Sequence, residues 1–138
     1  MVAVHGYFVG PDYRTEVWIS ARAENELHKY IRRNKRFGSQ LERTIKRYAE
    51  SGFAQWEEKG ILRREGARSW RLGRSDLFRL LGGYGGSKEK FLILDAGRKP
   101  GQRRGRLIDE RVAEIERTLE ACDWVEVANE PTDEANPR

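Results

Sequence analysis

The sequence predicts an α+β fold in which a helical hairpin and a C-terminal helix pack on a small, mainly antiparallel sheet. Apolar residues recur with the helical period in segments 21–51 and 108–122, as on the buried face of a helix. Around these segments, short β-rich stretches show alternating or continuous apolar residues. Strands that cluster after a helical hairpin indicate an α+β layer arrangement with the order β-α-α-β-β-β-α.

The length of 138 residues fits one domain, which we place at residues 1–128, followed by a polar tail at 129–138. Residues 15–20 alternate and are rich in β-formers, so they predict the opening strand. Residues 1–14 form either an ordered arm or an extra strand, and the sequence leaves both alternatives open.

The helical hairpin is predicted to begin at Ala21. We expect Gly38 and Ser39 to end its first helix and to cap its second. The second helix should stop at Gly52, because glycine adopts the left-handed cap conformation at low cost. The outer face of this hairpin is strongly basic.

Three or four short strands are predicted within residues 61–94, and the glycine run at 82–86 should connect the last two as a hairpin. Residues 91–94 are continuously apolar, so we place that strand centrally, with both faces buried. A charged loop at 97–106 then leads to the final helix, and residues 124–127 are a candidate closing strand. We expect Asp109 and Glu110 in the first turn of this helix and Cys122 in its buried stripe.

Charge is distributed unevenly along the chain. The whole sequence has a formal net charge of +5, but residues 123–138 hold five acidic residues against Arg138. Without that segment, 26 basic residues face 17 acidic ones, a net charge of +9. A body of this sign favours polyanionic partners, although a solvated cationic surface without a partner is the alternative.

Several classes of protein are excluded by composition. No apolar run approaches the roughly 20 residues of a membrane span, and the N-terminus lacks the pattern of a secretory signal. A single cysteine cannot form an internal disulfide, and two histidines cannot complete a zinc site without carboxylates. We therefore expect a soluble, cytoplasmic protein without a metal or cofactor.

Arginines in and beside the predicted strands are the main functional signal. Arg71, Arg74 and Arg79 alternate with or adjoin apolar residues, so we expect their guanidinium groups on the sheet face opposite the core. Such groups bind phosphate oxygens in bidentate fashion. The alternative is a solvated face paired with Glu65 and Asp76.

The loop that follows the buried strand should add cations at the rim of the sheet. Its binding candidates are Arg98, Lys99, Gln102, Arg103, Arg104 and Arg106. A glycine-punctuated cationic loop can follow a phosphate backbone and release counterions, although it can also serve a protein partner.

Other residues outside the arginine-rich strands and loop are candidates for base stacking, phosphate binding or catalysis. Tyr84, on the glycine hairpin, is the best candidate to stack on a base, whereas Trp18 and Trp70 are assigned to the core. Gly85 to Lys88 resemble a phosphate loop, but the spacing and the following strand argue against one. The two histidines are far apart in sequence and receive no catalytic role. Asp95, after the buried strand, is the candidate base of a metal-independent RNA cleavage or a salt-bridge partner of the loop.

These features together resemble the RelE/ParE toxin superfamily, particularly its HigB-like and phage-derived branch. Segments 16–27, 69–74, 77–79 and 91–102 carry the resemblance, which spans roughly residues 15 to 121 and rests on pattern and order. The resemblance implies a RelE-like domain that cleaves messenger RNA at the ribosome and is inhibited by a cognate antitoxin. It also implies that Arg74, Arg79, Arg98 and Lys99 hold phosphate and stabilise the transition state. A non-catalytic nucleic-acid-binding protein and a gyrase-inhibiting toxin remain the alternatives.

Overall fold

A computed structural model describes residues 1–57, 62–72, 78–98 and 104–128, with the backbone alone at 98 and at 104–109. Within these ranges the chain forms three α-helices, a short 3-10 helix at Phe53–Trp56 and seven strands. The strands are β1 Val2–Phe8, β2 Glu16–Ser20, β3 Leu62–Arg64, β4 Trp70–Leu72, β5 Phe78–Tyr84, β6 Lys90–Arg98 and β7 Trp124–Val127. The helices are α1 Ala21–Arg33, α2 Lys35–Ser51 and α3 Arg104–Glu120.

All seven strands belong to one mixed sheet with the order β3-β4-β5-β6-β2-β1-β7. Four of the pairings between described strands are antiparallel, and β2–β6 and β1–β7 are parallel. The predicted α+β class and the mainly antiparallel sheet are confirmed. Of the two alternatives for the N-terminal segment, the extra strand is the one observed, and the candidate closing strand is β7 beside it.

The sheet is covered on both faces. Helices α1 and α2 pack on one face through residues such as Leu27, Ile45 and Tyr48, in the larger of two core clusters. Helix α3 packs on the other face through Ile115 and Leu119. Strand β6 lies in the middle of the sheet and contributes alternate residues to both clusters, which confirms its predicted central position.

Helix α1 begins where β2 ends because Ser20 serves both elements. Its hydroxyl accepts a hydrogen bond from the backbone N–H of Ala23, which caps the helix, and donates to the carbonyl of Leu94 in β6. The predicted start of α1 at Ala21 is therefore correct.

The predicted break between the two hairpin helices was wrong. The chain turns at Asn34, and Gly38 lies inside α2. A Cβ at Gly38 would stand 2.6 Å from the Cα of Ile31, so this glycine allows α1 and α2 to approach closely rather than ending a helix.

The glycine run was also only partly a turn. Gly82 and Gly83 lie within β5, and the connection to β6 begins at Gly85. A Cβ on Gly82 would stand 1.8 Å from the carbonyl oxygen of Leu92, beside an irregularity in the β5–β6 register. Gly82 and Gly83 therefore allow neighbouring segments of the same chain to approach β5 closely.

The end of the predicted loop and the final helix also differ from expectation. Gly97 and Arg98 belong to β6, and α3 begins at Arg104, so Asp109 and Glu110 lie beyond its first turn. Cys122 is exposed, two residues after α3 ends, with a left-handed φ of 52°. Its assignment to the buried stripe was wrong, because the chain leaves the helix before reaching it.

No helix in the described part of the chain is long and apolar enough to cross a membrane.

Candidate nucleic-acid interface

The predicted site residues divide into three groups by what the structure describes. Side chains are described for Arg71, Arg79, Tyr84 and Asp95. Only the backbone is described for Arg98, Arg104 and Arg106. Arg74, Lys99, Gln102 and Arg103 lie outside the described residues.

Arg71 and Arg79 share one face of the sheet, as predicted. Their strand neighbours Trp70, Leu72 and Leu80 belong to the cluster under α1 and α2, so the alternating arginines lie on the α3 side. On β3, Arg63 pairs directly with Arg71 across the ladder and therefore lies on that face as well.

These sheet arginines are not freely presented to solvent. Arg79 is 7% exposed and is engaged by a neighbouring group. The Nε atom of Arg71 lies 3.2 Å from a carboxylate oxygen of Glu65. The pairing of Arg71 with Glu65 that the alternative named is thus observed, although Arg71 is largely shielded from solvent, and Asp76 lies outside the described residues.

Asp95 occupies the centre of an ion-pair cluster. Its carboxylate oxygens lie 3.6 Å from Nε of Arg22 in α1 and 3.4 Å from Nε of Arg111 in α3, and its side chain is only 5% exposed. It also accepts a hydrogen bond from the backbone N–H of Ala96 at 2.8 Å. This geometry favours the salt-bridge role over that of a base, and the partners seen among the described side chains are arginines of the helices α1 and α3.

A group of exposed arginines that sequence reasoning missed lies on β3 and on its connection to β4. Arg63, Arg64 and Arg68 are exposed, and with Arg71 they place four guanidinium groups at the edge of the sheet. We call the segment 62–72 with these four residues the arginine hairpin. The dense arginines of this segment were its signal, but only the edge position of β3 leaves them exposed.

Glu116 of α3 fixes the turn of the arginine hairpin. Its carboxylate accepts hydrogen bonds from the backbone N–H groups of Arg68, at 2.9 Å, and Ser69, at 2.6 Å. Partial burial raises the pKa of Glu116, but the hydrogen bonds from Ser69 and Arg68 outweigh burial and hold the pKa below the ordinary carboxyl value. The hairpin therefore has a defined position relative to α3.

Tyr84 lies at the other end of β5 from Arg79, so the structure does not bring it to the predicted cationic rim. Its hydroxyl donates a hydrogen bond of 2.5 Å to Glu57. Burial and the bond to Glu57 raise the pKa of Tyr84 far above its ordinary range, so the phenol stays protonated. Lys88 stands 5.3 Å from the centre of the Tyr84 ring.

A groove of about 450 Å³ runs beside Tyr84 and the arginine hairpin. Its lining includes Arg64, Arg68, Trp70, Tyr84, Lys88 and Trp124. We call it the aromatic groove. The groove contains both aromatic rings and cations. It adjoins the arginine hairpin, because Arg64 and Arg68 belong to both.

The two histidines, far apart in sequence, approach the same carboxylate. His5 Nε2 lies 2.7 Å from Glu24 and His28 Nε2 lies 4.0 Å from it. None of His5, Glu24 and His28 is among the residues that line the aromatic groove, so this cluster is not part of it.

The described residues contain no group of three or more His, Cys, Asp or Glu side chains placed to hold a metal ion. No protein-family model matches the sequence, and no curated protein matches it. Among solved structures, the chain is similar to a chain of the toxin-antitoxin complex RelBE2 from Mycobacterium tuberculosis, with 22% identity and a TM-score of 0.38. The match covers 62% of this chain and 98% of that chain. At this identity and TM-score the likeness carries no argument about activity. In the described part of the chain, exposed cations cluster on the arginine hairpin and on the outer surface of α1 and α2, and others, such as Arg14 and Arg117, lie elsewhere.

Proposed function

We propose that this chain is a toxin-like endoribonuclease that binds messenger RNA through the arginine hairpin. The arginine hairpin is the observation that carries the proposal. It contains four arginines and one acidic residue, Glu65, and three of the four arginines are exposed. Guanidinium groups bind phosphate oxygens in a planar, often bidentate geometry, and they remain charged at every working pH.

The helical hairpin supports a second contact with structured RNA, such as that of a ribosome. Exposed cations cover its outer surface on both helices: Arg32, Arg33, Lys35, Arg36, Arg43, Lys46 and Arg47. Their charge favours a large polyanion, because each phosphate contact releases counterions. Since α1 and α2 cover one face of the sheet and α3 the other, this surface is distinct from the arginine hairpin.

The proposed cleavage needs no metal. The 2′-hydroxyl attacks the adjacent phosphate, the bond to the 5′-oxygen breaks, and a cyclic phosphate and a free 5′-hydroxyl result. Cations near the phosphate stabilise the charge that develops on its oxygens. The candidates that the resemblance implies remain Arg74, Arg79, Arg98 and Lys99. The composition of the loop adds Gln102, Arg103, Arg104 and Arg106 as further contacts.

The proposed regulator is an antitoxin that covers the arginine hairpin. An acidic partner segment fits this surface, because the exposed guanidinium groups attract carboxylates as well as phosphates. Co-expression with such a partner should relieve any growth arrest that the chain alone causes.

Binding and cleavage are tested separately. Binding of a short single-stranded RNA should weaken steeply with salt, and Arg63→Ala should reduce both the affinity and the salt slope. Arg14→Ala removes another exposed arginine, which lies before β2 and outside the arginine hairpin, and serves as the matched control. Equal losses in the two variants would remove the arginine hairpin from the proposal.

Cleavage is measured by mapping new 5′ ends on messenger RNA after induced expression, and beside translating ribosomes in vitro. New 5′-hydroxyl ends that disappear in Arg79→Ala support a nuclease. Salt-sensitive binding without any new ends supports the second candidate.

That second candidate is a non-catalytic nucleic-acid-binding protein on the same scaffold. The geometry of Asp95 favours it, because a carboxylate held by two guanidinium groups and a backbone N–H is poorly placed to accept a proton from RNA. The cleavage map separates the two candidates directly.

A further inference from the structure

We propose that the aromatic groove binds an unstacked base and its phosphate from single-stranded RNA, giving the arginine hairpin a neighbouring base subsite. The identity of the ligand as RNA rests on the proposed function, whereas the capacity of the groove for a base and a phosphate rests on the residues that line it. Its volume of about 450 Å³ falls in the range of small-molecule sites, about 300–1,000 Å³.

Aromatic surface in the groove is held rigidly. Tyr84 makes edge contacts with Trp70, at 6.3 Å between ring centres, and with Phe91, at 5.4 Å. Its hydroxyl is fixed on Glu57. Trp124 of β7 is partly exposed and also lines the groove. Because these rings are already ordered, stacking of a base on them costs little conformational entropy. Any base can stack, because each has an aromatic face.

Cations surround these rings. The guanidinium carbon of Arg64 lies 4.7 Å from the centre of the Trp70 ring. Lys88 lies over Tyr84 and is paired with Glu57 at 2.9 Å, while its own side chain stays 61% exposed. Arg68 is exposed, and its backbone is fixed by Glu116. Three cations around an aromatic lining suit a base with an attached phosphate better than an apolar ligand.

An acidic side chain gives the groove a preference among bases. Glu120 lines it, and a carboxylate accepts hydrogen bonds from an exocyclic amino group. Cytosine, adenine and guanine carry such a group on the Watson–Crick edge that an unpaired base exposes, whereas uracil does not. We therefore expect the groove to disfavour uridine relative to cytidine, adenosine and guanosine.

Cys122 offers a direct readout because it is the single cysteine of the chain, is exposed and lines the groove. The experiment measures the rate at which a thiol reagent alkylates Cys122 in the full chain, with and without a hexamer of cytidine. At ten times its dissociation constant, the hexamer should slow alkylation about tenfold. The uridine hexamer should protect less, and a duplex of the cytidine hexamer with its complement should protect little.

Variants test the two kinds of contact. Arg68→Ala combined with Lys88→Ala should weaken protection by about tenfold or more, and Tyr84→Leu should do the same by removing the ring. Tyr84→Phe keeps the ring and should keep the protection. Urea unfolding of each variant shows whether Tyr84→Leu loses protection through misfolding. If it does, the double variant at Arg68 and Lys88 still tests the groove, because both residues are exposed.

The outcomes separate this inference from the proposed function. If the hexamer binds in a retardation assay while Cys122 reacts at its free rate, the base subsite is wrong and binding through the arginine hairpin stands. Equal protection by duplex and single strand also overturns the subsite. If no RNA binds by either assay, both proposals are lost. Arg63→Ala should lower affinity yet leave protection intact at saturating RNA, since Arg63 does not line the groove.

Discussion

At the scale of single residues, Asp95 shows how burial redirects an apparently catalytic group. The sequence places it after an apolar strand, where a carboxylate could serve as a base. In the structure it lies within β6 and binds Arg22 of α1 and Arg111 of α3, and so joins both helical layers to the sheet. The difference arises because its partners come from segments that no local pattern connects to it.

Asp95→Asn should therefore act mainly on stability. The substitution keeps the size of the side chain but removes the charge that two guanidinium groups share, so we expect a loss of about 1–3 kcal/mol in the free energy of unfolding. The loss stays below that of a fully buried pair because Arg22 and Arg111 keep 61% and 38% of their side-chain surface exposed.

Urea unfolding at neutral pH measures this change. Arg22→Ala, which removes the more exposed partner, should cost only about 0–1 kcal/mol. A loss of RNA cleavage in Asp95→Asn without any loss of stability would contradict the structural role and return Asp95 to catalysis.

At the scale of elements, the arginine hairpin depends on α3 for its position. Glu116 is the connection, since its carboxylate accepts two backbone N–H groups of the turn. A Cβ at Gly66 would stand 2.3 Å from a carboxylate oxygen of Glu116, so the glycine allows the turn to approach this closely. The exposed arginines are thus held by a contact between segments nearly fifty residues apart.

Acid should weaken this connection. The folded-state pKa of Glu116 lies below its ordinary value, so the ionised form stabilises the fold above the unfolded-state pKa, and that stabilisation is lost as pH falls through the folded-state pKa. Glu116→Gln should reduce the free energy of unfolding by about 0.5–1.5 kcal/mol at neutral pH, and the gap from the parent should shrink below about pH 4.

Urea midpoints of the two proteins from pH 7 to pH 3 measure that gap. Glu50→Gln, on the exposed side of α2, is the control and should change the midpoint only slightly. A gap for Glu116→Gln that persists unchanged at low pH would show that its charge does not hold the turn.

The elements also show how far the sequence alone can predict this molecule. Both hairpin helices and the terminal helix follow from apolar periodicity, and the central strand follows from an unbroken apolar run. Both patterns reflect burial directly. Gly38 and Gly82 were misread because they allow another segment of the same chain to pack closely. That segment is at Ile31 in one case and at Leu92 in the other. A local turn signal and a close tertiary approach use the same residue, and only the fold distinguishes them.

The candidate site was predicted less completely than the fold. Arg71 and Arg79 were correctly placed on one face because strand alternation is a local property. Arg63, Arg64 and Arg68 were missed, since their exposure depends on β3 being the edge strand of the sheet. Strand order is set by long-range pairing, which periodicity does not encode.

At the scale of the whole molecule, charge is divided among regions of opposite sign. The full chain has a net charge of +5, and residues 129–138 contribute three acidic residues and one arginine. A chain that ends at Ala128 therefore has a net charge of +7. The acidic residues lower the attraction that the cationic surfaces exert on a polyanion.

Removal of residues 129–138 should tighten RNA binding by on the order of a few-fold at low salt, and the gain should vanish near 1 M salt because of screening. Fluorescence anisotropy with a labelled oligonucleotide measures both affinities. Full-length protein with Glu130→Gln, Asp133→Asn and Glu134→Gln carries a still higher net charge and should show a similar gain. If truncation alone has an effect, charge is not its cause.

Strand β5 sets a minimum footprint for any ligand that uses both of its ends. Arg79 and Tyr84 are five residues apart along it, or roughly 17 Å at about 3.3 Å per residue. A stacked strand of nucleic acid advances about 3.4 Å per nucleotide, so about five nucleotides are needed to reach from one end to the other. Oligomers of two or three nucleotides can occupy either end alone, and the avidity of a two-ended ligand should first appear at about five.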